Sequence, residues 1–204
     1  MNQTIGKLLL AATVIFTACK KSETNTTAPL APAKGIYVLS EGNFGSNNSK
    51  LGYYNIATST FTGDYFTTQN PGAAGLGDTG NDMVLYGGKL YIVMNGSSQL
   101  VVLNAGNGQL LNRIPFVNGS TAKSPRYAIG YRGKVYVTAY DNTVSIVDTS
   151  SLSITGSIAT GANPDGIAAY GDYLYVANSG SFNYPDVGST VSVISLSTLA
   201  EVKK

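Results

Sequence analysis

A chain of 204 residues carries 13 basic and 11 acidic side chains, a formal charge of +2, and only 12% of it is charged, about half the usual share for a soluble domain. It contains no histidine and a single cysteine, which excludes a Ser-His-Asp triad, an imidazole base, a histidine-ligated metal and an internal disulfide. Its 24 glycines and 14 tyrosines, set among many Val, Ser and Thr, point to an all-β protein.

Taken in chain order, residues 1–18 read as a lipoprotein signal peptide. Lys7 is the only charged side chain before Cys19, and the apolar run 8–16 is too short to span a bilayer. Phe16-Thr17-Ala18-Cys19 resembles a lipobox, with Phe16 standing where Leu is usual, so Cys19 is the expected lipidated first residue. Residues 19–34 are rich in Lys, Ser, Thr, Asn, Ala and Pro and cannot bury enough surface to offset their ordering entropy, which makes them a flexible tether. Between residues 35 and 202 there are seven basic against ten acidic residues, a net of −3. No basic field is available for nucleic acid, and contact with a membrane is expected through the lipid anchor alone.

Residues 35–204 are one unit repeated. Tyr37, Tyr91, Tyr136 and Tyr175 each centre an apolar strand, spaced 54, 45 and 39 residues apart. A second register agrees: Asn55, Asn104, Asp148 and Ser195 each close a strand, at spacings of 49, 44 and 47. Within the second repeat, 82–86, 90–94, 100–103 and 110–114 read as strands, with Gly87-Gly88 and Asn95-Gly96 as tight turns. The third repeats this with 126–131, 134–138, 143–147 and 153–158. No helical period stands out beyond the signal peptide. Four short antiparallel strands per repeat of 40–50 residues are the signature of a β-propeller blade.

The segments Ser124-Pro125-Arg126-Tyr127-Ala128, Gly133-Lys134-Val135-Tyr136-Val137-Thr138, Gly161-Ala162-Asn163-Pro164-Asp165-Gly166-Ile167-Ala168 and Leu174-Tyr175-Val176-Ala177-Asn178 resemble YVTN (YncE-like) propeller repeats. The opening Ser40-Glu41-Gly42-Asn43-Phe44-Gly45 resembles the start of the lipoprotein branch of that family. The resemblance implies a propeller anchored at the bacterial outer membrane, on its surface or its periplasmic side, and some members of the branch capture cobalamin for an outer-membrane transporter.

The first repeat begins at its second strand, near residues 35–39, and the last breaks off where its fourth should begin, at 200–204. The expected fold is therefore about three and a half to four blades, the N-terminal part of a larger propeller of about seven. The alternatives are a compact four-bladed ring, or two chains closing one ring.

In an up-and-down blade the loops joining strands 2 and 3 emerge on the same face as the loops joining one blade to the next. That face, or the axial channel, is where a site belongs. Two of the 2–3 loops are long. One is 41–50, with Asn43 and Phe44, and the other is 179–190, with Phe182 and Tyr184. Asn95, Tyr140 and Asn178 lie at strand ends on this rim, and the inter-blade loops add Asp78, Asn81, Asp82, Lys123, Arg126, Asn163 and Asp165. Aromatic faces would stack on a ligand and amides would bond it. Arg126 could grip a carboxylate or phosphate, or instead pair with Asp165 or Asp82.

Gly75-Leu76-Gly77-Asp78-Thr79-Gly80 satisfies GxGxxG, yet a strand follows it rather than a helix, so the dinucleotide reading fails. No cofactor and no metal site are expected. The expectation is a non-enzymatic, lipid-anchored binding propeller, with a small molecule such as cobalamin as ligand or an outer-membrane transporter or envelope protein as partner. An interaction scaffold is the alternative class. A lactonase or quinoprotein-like enzyme is less favoured, because the usual acid–base residue is missing.

Overall fold

The computed structural model describes residues 33–180, 185 and 187–204. The expected signal peptide, Cys19 and nearly all of the tether lie outside them. The first sheet holds β1 (Gly35–Ser40), β2 (Lys50–Asn55) and β3 (Thr60–Thr62), followed by the short helix α1 (Tyr65–Gln69). The second sheet is β4 (Gly80–Tyr86), β5 (Lys89–Met94), β6 (Gln99–Asn104) and β7 (Leu110–Pro115). A two-stranded ribbon, β8 (Val117–Asn118) and β9 (Thr121–Ala122), leads to the third sheet. That sheet is β10 (Pro125–Tyr131), β11 (Lys134–Ala139), β12 (Thr143–Asp148) and β13 (Ser153–Ala159). The fourth is β14 (Pro164–Tyr170), β15 (Tyr173–Asn178), β16 (Thr190–Ser195) and β17 (Ala200–Lys203). Every pairing is antiparallel and between consecutive strands, as in propeller blades.

The repeat landmarks have local physical causes. Gly87 and Gly88 both have positive φ, 55° and 74°, giving the tight turn whose twist matches a hairpin. Asn55, Asn104 and Asp148 each turn a side-chain oxygen onto backbone N–H groups two or three residues on: Ala57 and Thr58, Gly106, and Ser150 and Ser151. Such Asx turns end strand 3 and start the turn into strand 4.

Three of the four tyrosine landmarks, Tyr37, Tyr91 and Tyr136, fill the space between two sheets, whereas Tyr175 is exposed on the fourth sheet. Along β5, Leu90, Ile92 and Met94 face the first sheet in a core with Leu51, Phe66, Leu76, Val101 and Leu103. The alternate residues Tyr91 and Val93 face the third sheet, packing with Leu100, Val102, Phe116, Val135 and Val137. Tyr136, Val144, Ile146, Leu174, Val176 and Ile194 form the next junction. Full burial of each such side chain is worth about 1.5–3 kcal/mol, so the three junctions hold the arc together.

Among the described residues the first sheet has no innermost strand: β1 aligns with β5, not β4. The position that strand would take borders a cavity of about 530 Å³ lined by Ile36, Tyr37, Tyr53, Met83, Leu85 and Leu90, away from the 2–3 loops. Helix α1 has five residues, too few for a periodic signal. Asp64 caps it through the Thr67 N–H at 3.3 Å, and Phe66 anchors it in the first junction.

Candidate binding site

The loops between sheets and the 2–3 loops do share one rim, and the same device is built three times. The first residue after strand 2 donates its N–H to the residue just before strand 1. These bonds are Asn95 to Thr79 at 2.8 Å, Tyr140 to Ser124 at 3.2 Å and Ser179 to Asn163 at 3.1 Å. All three acceptor residues have positive φ, 55°, 51° and 47°, a region that non-glycine residues rarely enter. The pairing of the innermost strand then slips, between Gly80 and Asp82, between Pro125 and Ala128, and between Pro164 and Ile167. A bulge of this kind bends the strand and re-aims a side chain. The residues released are Asn81, Arg126 with Tyr127, and Asp165 with Gly166.

Asn81, Arg126 and Asp165 meet. The Asn81 amide donates to the Arg126 carbonyl oxygen at 2.5 Å, and Arg126 Nη1 donates to Asn81 Oδ1 at 2.5 Å. Arg126 Nε donates to Asp165 Oδ1 at 3.0 Å, closing an ion pair that is about one-quarter exposed. The Arg126 guanidinium carbon lies 4.9 Å from the centre of the Tyr140 ring and 5.8 Å from that of Tyr127, within cation–π range. The row therefore links three sheets and is electrically neutral. Arg126 is not the free cation that grips a carboxylate or phosphate; Asp165 already neutralises it. Tyr127 was invisible as a site residue because nothing in the sequence says which aromatic beside Arg126 turns toward it.

Other expected residues have structural tasks. Asn178 is buried, donating to Thr190 Oγ1 and Ser192 Oγ at 3.0 Å each and accepting from Ser192. It occupies the inward-facing place held by Met94 and Ala139 in the neighbouring sheets, so it leaves the rim. Asn95 donates its amide to the Pro125 carbonyl at 3.0 Å. Asp82 accepts from the Ala128 N–H at 2.9 Å; burial pushes its carboxyl up, partly countered by backbone N–H groups of Ala128 and Met83. Lys123 is buried, 3.1 Å from Asp141 and donating to Ser145 Oγ at 3.2 Å. Asp78, Asn81 and Asp82 thus point at separate partners, and no group of three potential metal ligands gathers among the described residues.

The loop after β1 is held by Asp78, whose carboxylate accepts the N–H groups of Gly45 at 2.9 Å and Asn47 at 3.3 Å. The Asn43 N–H donates to Asn48 Oδ1 at 2.8 Å, and the Ser49 hydroxyl donates to the Glu41 carbonyl. On this tied loop Phe44 is 82% exposed. Phe182 and Tyr184 lie outside the described residues.

Residues 34–203 match the family model described as Domain of unknown function (DUF5074). The chain belongs to the DUF5074 family. No curated protein matches it. Among solved structures, this DUF5074 domain is similar to Kuenenia stuttgartiensis hydrazine synthase, at TM-score 0.63 and 15% identity over 83% of this chain and 45% of that one. It is also similar to dihydro-heme d1 dehydrogenase NirN in complex with DHE, at 0.56 and 11% over 82% and 34%. A third neighbour is the Neurospora crassa Pan2 WD40 domain, at 0.53 and 12% over 84% and 49%. The DUF5074 domain spans less than half the length of each. At such identities the likeness is one of fold: this is a β-propeller protein, with four blade sheets among the described residues.

Proposed function

We propose that this DUF5074 domain is a non-enzymatic binding propeller of the YVTN (YncE-like) kind, anchored through Cys19 in the bacterial cell envelope. It captures a small ligand on the rim of its 2–3 loops. The observation that carries the reading is the neutral Asn81–Arg126–Asp165 row, flanked by Tyr140. Three bulged strands bring these residues together, although the strand pairing of the sheets does not require their side chains. A neutral row of amide, guanidinium and carboxylate bonds uncharged polar groups better than it bonds an anion, because Asp165 repels what Arg126 attracts. The aromatic flank suits a flat, partly apolar body. A corrinoid, with amide arms around a broad ring, has that chemistry, and the resemblance of the opening Ser40–Gly45 segment to the lipoprotein branch of the YVTN family, some members of which capture cobalamin, supports it.

Calorimetric titration of the chain from residue 20 onward with cyanocobalamin tests this. Binding in the micromolar range or tighter is expected, weakened roughly tenfold or more by Tyr140→Ala, the scale of one lost stacking contact. No heat at tens of micromolar ligand would remove the corrinoid. A second reading, a protein scaffold in the envelope, is favoured by Phe44, a large aromatic held out on a tied loop as interface anchors are. Capture of a transporter from solubilised envelope, lost on Phe44→Ala, would support it.

A further inference from the structure

We propose that the outer edge of β13 is a docking strip for an extended, uncharged segment of a partner protein, which joins the third sheet as a further strand. The outermost strand of each sheet has no strand beside it among the described residues, and such edges are ordinarily blunted by shortness, charge or proline. β3 has three residues, and β17 carries Glu201 and Lys203. β7 is closed differently. The Phe116 N–H donates to the Ser98 carbonyl at 2.8 Å, and successive N–H groups of a strand point to opposite sides. Those of Asn112 and Ile114 therefore turn to β6, and the outward places fall to residues 113 and 115. There the Arg113 N–H is met by Asn112 Oδ1 at 2.8 Å, and Pro115 has no N–H to offer.

In β13 both devices are missing. The Thr160 N–H donates to the Asn142 carbonyl at 3.0 Å, so by the same alternation Gly156 and Ile158 turn to β12, while Ser157 and Ala159 present their N–H groups outward. By register, Gly156 stands where β7 has Asn112, and Ala159 where it has Pro115. One has no side chain to cap its neighbour, and the other restores a donor. β13 runs for seven residues without charge or proline, and its exposed side chains, Ser153, Thr155, Ser157 and Ala159, are all small enough for another backbone to come close. A row of alternating N–H and C=O groups is matched by an extended chain. Between β13 and β7 lies a cavity of about 330 Å³ lined by Ile114, Pro115, Leu152 and Ile154. Alternate side chains of an added strand fall on that side of the sheet, so the segment brings an aliphatic residue to the cavity. The β13 of a second copy could not, because its exposed row holds only Ser, Thr and Ala. Strip and cavity lie between the second and third sheets, all of whose strands are described, so neither depends on what stands beyond the first or the fourth.

Nuclear magnetic resonance titration of the chain from residue 20 onward with a capped Thr-Val-Thr-Leu-Thr-Val-Thr peptide, flanked by lysines for solubility, tests this. The amide signals of Thr155, Ser157 and Ala159 are expected to shift and their exchange with solvent to slow, with Kd below about 1 mM. The same peptide N-methylated at alternate residues, which strips one edge of its donors, should bind roughly tenfold or more weakly. Gly156→Asn and Ala159→Pro copy into β13 the residues that close β7; each should melt with the parent and weaken the peptide by roughly tenfold or more. No shift up to about 1 mM peptide, or binding indifferent to N-methylation and to both substitutions, overturns the proposal. Amides of Ser157 and Ala159 already protected from exchange before peptide is added would mark an edge covered by the chain's own residues or by a second copy, and overturn it too. Cobalamin titration at the rim reads a different face and is unaffected by either result.

Discussion

Replacing Gly130 with alanine probes a close approach between the second and third sheets. Gly130 lies in β10, and a methyl group there would fall on ring carbons Cγ and Cδ2 of Tyr86, far inside van der Waals contact. Tyr86 is not free to leave without loss, since its hydroxyl accepts the Gly133 N–H at 2.6 Å and its ring packs on the junction core. Overpacking of this kind costs about 1–3 kcal/mol, and loss of the hydrogen bond adds about 1 kcal/mol. The matching place in the fourth sheet is Ala169, beyond Tyr131, whose hydroxyl donates to Gly171 at 2.8 Å, so the architecture accommodates a methyl once the tyrosine sits differently. The lower half of the combined range is therefore expected, about 1–2.5 kcal/mol, or roughly 2–10 °C in Tm for a domain of this size. Thermal melting by circular dichroism reads it, with Gly75→Ala, in open space, as the control that should not move. In a Tyr86→Ala background the penalty should largely vanish. A Gly130→Ala protein that melts with the parent, or a penalty unchanged by Tyr86→Ala, would refute the packing argument.

Three further outcomes follow from single observations. The Tyr91 hydroxyl is buried without a hydrogen-bond partner among the described residues, so Tyr91→Phe should leave stability unchanged or raise it by up to about 1 kcal/mol in urea unfolding, whereas Tyr37→Phe, which loses a 3.1 Å bond to the Ala105 carbonyl, should cost about 0.5–1.5 kcal/mol. Arg126→Met strips Asn81 and Asp165 of their shared partner and should cost about 1–3 kcal/mol, a figure held down by partial exposure; a double-mutant cycle with Asp165→Asn should return a clear coupling, and an additive result would show the pair to be incidental. The Lys134 ammonium, then the Ser151 and Ser150 N–H groups, hold the Asp148 carboxyl well below the usual carboxylate range. Its folded pKa is depressed, so its contribution is complete above the unfolded value of about 4 and is lost as pH falls below it; Tm followed from pH 6 downward should fall less steeply in Asp148→Asn than in the parent.

The fold was legible because the landmarks that repeat are the ones the backbone needs. Tyrosines at 37, 91 and 136 recur because each junction must be filled from strand 2, and Asn55, Asn104 and Asp148 recur because each strand 3 ends in an Asx turn. Helix α1 and the ribbon β8–β9 escaped notice, being too short to show a period. The site was only half legible. Arg126 and Asp165 were visible as inter-sheet charges and their pairing as one of the readings open for Arg126, but the choice between that pairing and a free cation depends on bulges that no residue type announces. Asn178 misled because an amide at a strand end looks the same in sequence whether it turns to the rim or into the sheet. The alternation of β15, exposed at Tyr175 and buried at 174, 176 and 178, decides that it turns inward.

A repeat protein separates scaffold from chemistry in a way a single domain does not. At the rim, Thr79-Gly80-Asn81, Ser124-Pro125-Arg126 and Asn163-Pro164-Asp165 share a left-handed residue, an equivalent hydrogen bond and a slipped pairing. The backbone requirement is the same three times, and Gly or Pro meets it each time at the second place. The third place is under no such requirement, since the bulge frees it from the ladder, and there the residues are Asn, Arg and Asp. Where repeats agree, backbone geometry is sufficient reason. Where they hold one geometry and differ in side chain, what remains to choose the residue is contact with its neighbours or with a ligand. The mutual bonds among Asn81, Arg126 and Asp165 account for polarity and charge balance at these positions. They do not account for placing the set beside Tyr140 on the loop-bearing face, and that is the part a bound molecule would explain.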